Sequence, residues 1–297
     1  MSFSVIVPVH NKGVHLERSI NSILNQTEKN FELIIINDAS TDGSAEIIEN
    51  LKDSRILKLN RSTPGPGGYA ARNMGIEAST REWICFLDAD DEWDDSLLYN
   101  LKTCISQNGN AEFIAWDWLK VRGDEKVRVT LPIDDQQEYS LFSLTDFLLN
   151  RMVWTGAVAI KKEVIKTAGM FPYDRCKRGG DLDTWIRCLW KSKCNIWIHK
   201  ALSIYYTDSV NMVTKTTISD FPCTYLTLEN LLKQSPSPQL ASAIKKFQNS
   251  SIYSVLDRNI KAGKAIDYKL MSKFKPSILA SNFILKLHVK RFLSFLN

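Results

Sequence analysis

Four short apolar runs, FSVIV at 3–7, FELIII at 31–36, RILKL at 55–59 and WICFL at 83–87, alternate along the chain with stretches of helical spacing. Strands this apolar leave no face for water, so they predict a sheet with parallel strands covered by helices on both sides. The covering helices are expected at 14–26, with Leu16, Ile20, Ile23 and Leu24 on one face, at 44–51, with Ile47, Ile48 and Leu51, and over the small, Ala-rich 69–78. Between 112 and 131 the pattern switches to EFIAWDWLKV and KVRVTL around Gly123-Asp124, which predicts a hairpin. Helices are expected near Ser96 and at 143–151, 161–167 and 181–192, short strands near 156–160 and 195–198, and almost only helix after 220.

In an open sheet of this kind ligands bind outside the carboxyl ends of the strands. Polar residues stand just there: Pro8-Val9-His10-Asn11 after the first strand, Asn37-Asp38 after the second and Asp88-Ala89-Asp90-Asp91 after the fourth. The turn VPVHNKG excludes the G-x-G-x-x-G dinucleotide fingerprint, and no P-loop lysine motif is present; the glycines of Gly65-Pro66-Gly67-Gly68 follow the third strand instead.

Asp88 and Asp90, at i and i+2 of an extended segment, point to one side and can address one hard cation such as Mg²⁺ or Mn²⁺ bridging diphosphate oxygens. The alternative is an acidic helix N-terminus made by Asp90, Asp91 and Asp94. Asp38 can accept an imino N–H from a pyrimidine base, or serve as an N-cap or turn residue in NDASTDGS. Arg72 and Asn73, in the small-residue helix, are either surface polar groups or a donor contact, with Arg72 reaching phosphates.

The segments FSVIVPVHNKGVHLERSINSILNQ, FELIIINDASTDGS, GPGGYAARNMG, FLDADD and GGDLDTWIRCL, ordered across roughly residues 2–210, resemble the family 2 glycosyltransferases of the GT-A fold, of the bacterial cell-surface polysaccharide or lipopolysaccharide type. The resemblance implies an α/β fold, with a Rossmann-like mixed central sheet flanked by helices and a C-terminal helical appendage. It implies an inverting transfer of sugar from a nucleotide-diphosphate donor, with UDP favoured, to a hydroxyl of a glycan or lipid-linked glycan, assisted by a divalent metal. By position, it implies Pro8, Val9, His10 and Asn11 along the nucleoside, Asp38 at the base, Arg72 and Asn73 near the donor, Asp88 at ribose or metal with Ala89 among the donor-binding residues, Asp90 at the metal and Asp181 as catalytic base. Inversion in one displacement needs a general base at the acceptor hydroxyl, and a carboxylate suffices. Asp181 could equally be an N-cap, and Asp183 is the rival carboxylate. The chain departs from the family at Gly180, where Glu is common, and at Ser209 in YYTDSVNMV, where an R-x-H-like turn is usual.

Trp154, Tyr173 and Trp185 fall in the acceptor-side half, where aromatic faces can stack on sugar rings or simply fill the core, whereas Trp83 and Trp116 are expected as packing. A rival of another class is a non-catalytic sugar-nucleotide or glycan-binding protein on the same fold. A phosphoryl-transfer enzyme using the D-x-D is weaker, since four other motifs would then be accidents.

Composition enters through charge and cysteine. Residues 240–297 hold 11 Lys/Arg against Asp257 and Asp267, a balance of +9, which leaves the remainder at −4. That remainder disfavours nucleic acid as a partner, and the Ser/Pro loop at 234–239 is a plausible seam. The division expected is a catalytic domain over 1–220 and a basic helical region over 221–297. PSILASNFILKLHVKRFLSFLN can form a helix with Ile278, Leu285, Val289, Phe292 and Leu296 on one side and Asn282, Lys286, Lys290 and Ser294 on another. Such a helix suits an anionic membrane surface, with a helical cap on the catalytic domain or a homodimer contact as the alternatives. No uncharged apolar stretch is long enough to span a bilayer, and MSFSVIVPVH lacks signal-peptide features, so the expected location is the cytoplasm, with the C-terminal region on the inner face of the cell membrane. The six cysteines, without C-x-x-C, are expected as reduced thiols, mostly in the core.

Overall fold

The computed structural model describes residues 1–132, 137–209 and 221–293. Strands β1 (Phe3–Val9), β2 (Phe31–Asp38), β3 (Ile56–Arg61) and β4 (Trp83–Phe86) form a parallel half-sheet in the order β3-β2-β1-β4. Because side chains alternate across a strand, Ile6, Ile34 and Ile36 feed one buried cluster and Val5, Val7, Leu33 and Ile35 the opposite one. Helices α1 (Gly13–Leu24) and α2 (Ser44–Asn50) cover the second face with Leu16, Ile20, Ile23 and Ile48. Helix α3 (Tyr69–Ala78) lies flat on the first face. Its small residues have a steric cause: a Cβ at Gly75 would come within 2.5 Å of the Ile6 side chain.

The second half is mixed. Strand β5 (Glu92–Trp93) and α4 (Leu97–Gln107) are followed by the hairpin β6 (Phe113–Arg122) and β7 (Glu125–Val129), then β8 (Tyr139–Leu141), α5 (Leu144–Asn150), β9 (Val158–Lys161), α6 (Lys162–Thr167), α7 (Gly180–Lys191) and β10 (Asn195–Tyr206). The sheet runs on from β4 through β9, β6 and β10 to β5. Strand β9 is antiparallel to both neighbours, whereas β10 is parallel to β6. The strand expected at 195–198 continues to Tyr206, because β10 regains pairing with β6 after a register shift between Ile198 and Ser203.

The C-terminal part comprises α8 (Tyr225–Lys233), α9 (Pro238–Lys261), α10 (Tyr268–Met271) and α11 (Ile278–Leu293). In the Ser/Pro loop, Ser237 caps α9 by accepting from the Leu240 amide at 3.3 Å, and Pro238 takes the first helical position, where no N–H is needed. Leu228, Leu231, Ala243, Ile244 and Phe247 join the main core, while Ile252, Val255, Leu256, Ile260 and Leu287 form a cluster of their own with Tyr225. Ile278, Leu285 and Val289 of α11 are exposed, at 84%, 64% and 49%. The side chains of Phe292, Ser294 and Leu296 lie outside the described residues. No helix among the described residues is long and apolar enough to cross a membrane.

The expectation of six reduced thiols is corrected for two of them. Cys176 and Cys223 form a disulfide, with Cα atoms 5.5 Å apart, where the turn before α7 meets the chain leading into α8. Nothing in a spacing of 47 residues signals such a pairing. Cys85, Cys104 and Cys188 are buried as free thiols and Cys194 is half-buried.

Candidate active site

The carboxyl ends of β1, β2 and β4 open onto one pocket of about 410 Å³. Pro8, Val9, His10, Asp38, Arg72, Asp88, Ala89, Asp90 and Asp181 all line it. Asn11 and Asn73 are not among the lining residues. Asn11, at φ 54°, accepts from the Thr41 amide at 2.7 Å and so ties the first strand's turn to the second's. Asn73 is buried and exchanges two hydrogen bonds with the Phe171 backbone, at 2.8 and 2.9 Å, which ties α3 to the segment before α7.

At the β2 end, Asp38 is 2% exposed, pairs with Arg61 directly opposite it on β3, and accepts from the Gly65 amide at 3.2 Å. The turn role weighed for it belongs to Asp42, which accepts from the Ser44 amide at 2.9 Å and the Gly13 amide at 3.1 Å. The His10 Nδ1–H donates to the Asp38 carbonyl at 2.7 Å, closing the β1 and β2 turns together.

Gly65, Gly67 and Gly68 form the next stretch of wall. Gly67 and Gly68 sit at φ 65° and 68°, a region costly for any side chain. Arg72 straps this loop to the acidic turn: one guanidinium nitrogen donates to the Gly67 carbonyl at 2.8 Å and another pairs with Asp88. Its buried Nε has no hydrogen-bond partner among the described residues. Lys12, which sequence reasoning passed over although it stands in the same VPVHNKG turn, pairs with Asp90 at 2.6 Å.

Asp91 is fully buried behind them, accepting from the Tyr206 amide at 2.9 Å through one oxygen while the other has no partner among the described residues. Burial first, and then the neighbouring Asp90 and Asp88 charges, push its carboxyl well above the usual range.

Helix α7 brings the remaining carboxylate. Gly179, at φ 75°, turns the chain so that Asp181 lies in the first helical turn and faces the pocket. Burial raises the Asp181 carboxyl above its ordinary value, with the Leu182 amide and Arg72 opposing and Asp88 reinforcing the shift. Asp183 has a different environment. It has no exposure, and it accepts from Arg175 at 2.5 Å, from Arg187 at 2.9 Å and from the Thr227 hydroxyl. It binds α7 to α8 and does not line the pocket.

Tyr69 also lines the pocket and was not singled out by sequence. Its hydroxyl accepts from the Gly180 amide at 2.9 Å, and its ring lies where a Cβ at Gly67 (2.7 Å) or Gly180 (2.8 Å) would go. The glycine that stands where Glu was expected is thereby explained: the phenol fills the space. Two glycines directly before an aromatic in GPGGYAARNMG were the available signal for Gly67, but Gly180 is 111 residues away.

Trp154, Thr155 and Tyr205 line it toward β9 and β10, and Arg178 and Leu182 line it beside Asp181. Trp185 is fully buried, as are Trp83 and Trp116, and Tyr173 is exposed away from the pocket. Ser209 is buried and donates to the Tyr206 carbonyl at 3.3 Å, while residues 210–213 lie outside the described residues. A larger hollow of about 570 Å³ runs along the β6–β7 hairpin, lined by Lys120, Arg122, Glu125, Val127, Thr207 and Asp208. None of the converging groups lines it, so chemistry rather than size selects the smaller pocket.

The family profile described as Glycosyl transferase family 2 matches residues 4–168. The amylovoran biosynthesis glycosyltransferase AmsB of Erwinia amylovora is 30% identical over 171 residues, covering 55% of this chain and 56% of that protein. The chain thus spans about half the length of that relative. The GalNAc(5)-diNAcBac-PP-undecaprenol beta-1,3-glucosyltransferase of Campylobacter jejuni is 28% identical over 272 residues, covering 87% of this chain and 84% of that one. Among solved structures, S. aureus TarS 1-349 in complex with UDP-GlcNAc superposes with a TM-score of 0.74 at 15% identity, over 99% of this chain and 89% of that one. The mannosyltransferase PcManGT of Pyrobaculum calidifontis, in complex with GDP-Man and Mn²⁺, gives 0.62 at 15% identity, over 98% and 83%. At that identity the likeness establishes a shared fold.

Proposed function

We propose, from the premise that this chain belongs to glycosyl transferase family 2, that it moves a sugar from a nucleoside-diphosphate donor to a hydroxyl of a glycan or lipid-linked glycan, with inversion at the anomeric carbon. The observation that carries the reading is the convergence of Asp38, the Gly65–Gly68 loop with Arg72, the Asp88–Asp90 pair and Asp181 on one pocket. The C. jejuni relative is named for GalNAc(5)-diNAcBac-PP-undecaprenol, which supports a lipid-linked acceptor.

In this reading Asp38 accepts the imino N–H of uracil, held in place by Arg61 and the Gly65 amide. UDP is favoured on that ground. Gly67, Gly68 and Arg72, which line the pocket between Asp38 and Asp88, would meet the charge of the diphosphate. Asp88 and Asp90 fit a hard divalent cation of the Mg²⁺ or Mn²⁺ kind. They line the same pocket and would supply two carboxylates to such an ion, phosphate and water supplying the rest. When bound, such an ion supplies Lewis-acid neutralisation of the departing diphosphate. Asp181 takes the proton of the acceptor hydroxyl as its oxygen bonds to the anomeric carbon and the bond to the diphosphate breaks, the leaving group keeping the electron pair. A carboxyl raised by burial is a stronger base than an exposed one.

Residues 1–220 would carry this chemistry and 221–297 its attachment to an anionic membrane. The exposed Ile278, Leu285 and Val289 support that attachment, with Lys286 exposed alongside and an excess of nine positive charges over 240–297. Co-sedimentation with anionic vesicles should fall when all three apolar residues are changed to Ser; unchanged recovery, or a dimer that dissociates instead, would reject the membrane role. The function itself is tested by screening UDP- and GDP-sugars for hydrolysis with Mn²⁺ present. Release of UDP supports the enzyme, whereas tight binding without release points to a sugar-nucleotide-binding protein.

A further inference from the structure

The sheet order lays the pocket out from one end to the other. From Asp38 at the end of β2, through β1, β4, β9 and β6, to Tyr205 on β10 is five strand steps, or roughly 24 Å at about 4.8 Å per step. With the nucleoside at the β2 end, as proposed above, the β10 end is left for what lies beyond the diphosphate. What stands there is aromatic. Trp154 and Tyr205, both half-buried, present rings with centroids 5.2 Å apart, and Trp118 packs behind them at 5.2 Å from Trp154 and 5.9 Å from Tyr205.

This cluster is fixed in place. A Cβ at Gly156 would come within 2.4 Å of the Trp154 indole, so the chain keeps that position bare to seat the ring, and the Trp118 indole N–H donates to the Met152 carbonyl at 3.1 Å. Core aromatics such as Trp185 are sealed from solvent, but Trp154 and Tyr205 line the open pocket. The two rings are tilted 50° to one another, so each offers its own rigid apolar face, and such a face, with few rotamers to lose, matches the C–H face of a pyranose ring whose hydroxyls stay at the polar rim.

We propose that Trp154 and Tyr205 form the subsite for a neutral pyranose ring of the acceptor, setting its hydroxyl against Asp181. The proposal rests on the donor reading given above, in which the nucleoside occupies the Asp38 end.

The test is saturation-transfer NMR with the methyl β-glycosides of glucose, galactose, N-acetylglucosamine and N-acetylgalactosamine, in the presence of UDP and Mn²⁺, with UDP affinity measured in the same samples. Ring protons of at least one glycoside should receive saturation in the unaltered protein. Trp154→Ala should weaken that binding about 10-fold with UDP affinity kept, and Trp154→Phe should restore part of it. Retained UDP affinity reports a folded variant; should Trp154→Ala fail there, Tyr205→Ala makes the same comparison. UDP binding without transfer to any glycoside overturns the subsite alone, whereas no UDP binding overturns the donor reading and the proposal with it. If Trp154→Ala weakens a UDP-sugar but not UDP, the ring on this surface is the donor's and the acceptor assignment fails.

Discussion

The two ends of the pocket are built from different kinds of chain. At the nucleoside end each functional residue follows directly on a parallel strand: His10 after β1, Asp38 closing β2, Asp88 after β4, with in-register pairing holding the three turns side by side. At the acceptor end Asp181 sits on a helix, Trp154 before an antiparallel strand and Tyr205 near the end of a long bulged one. A regular sheet therefore places the groups at the β2 end, and long-range side-chain contacts place those toward β10. Neighbouring carboxylates show the division most sharply, since Asp181 faces the pocket while Asp183, two residues on, is spent on Arg175, Arg187 and Thr227.

The largest effect is expected from Asp181→Asn, which should slow transfer about 10²- to 10⁴-fold while donor affinity stays unchanged. The same change should stabilise the protein. Burial raises this carboxyl in the folded state, so its contribution is most favourable below the unfolded-state pKa and is lost as pH climbs through the folded value. Melting curves should show the variant above the parent at pH 7, with the gap closing toward pH 4. Activity of the parent should fall as acid protonates this group.

Next in size, Asp90→Ala should cost about 10²-fold in turnover, by analogy with losing a principal electrostatic stabiliser. Excess EDTA should abolish turnover, and full activity in EDTA would remove the metal from the scheme. Asp38→Asn breaks the other side of the comparison: donor affinity should fall about 10-fold, measured by calorimetry with UDP, with turnover of bound donor little changed.

The smallest effect on chemistry belongs to Asp183→Asn. Its cost should be roughly 3 kcal/mol of stability in denaturant melts, at the lower end for a broken buried ion pair because Arg175 and Arg187 keep 37% and 19% exposure. At low temperature the variant should still turn over.

The sequence makes the donor end legible because strand periodicity and turn position are local properties. FELIIIND announces both the strand and the carboxylate that ends it. The side chains of Asn11 and Asn73 also bond Thr41 and the Phe171 backbone, contacts between segments far apart in sequence that residue type alone does not announce. The acceptor end was harder to read because its determinants are contacts across the chain. That Tyr69 occupies the space above Gly180, or that Cys176 meets Cys223, depends on how loops return to the sheet. The separation of Asp181 from Asp183 likewise depends on Thr227, which belongs to the C-terminal helices.

A crystal structure with UDP tests the central claim most directly. Uracil is expected against the Asp38 carboxylate, with the diphosphate running past Gly67 and Arg72 toward Asp88 and Asp90, and its terminal phosphate on the Asp181 side. UDP bound along the β6–β7 hollow, or lying in the pocket with its base at Trp154, would contradict it.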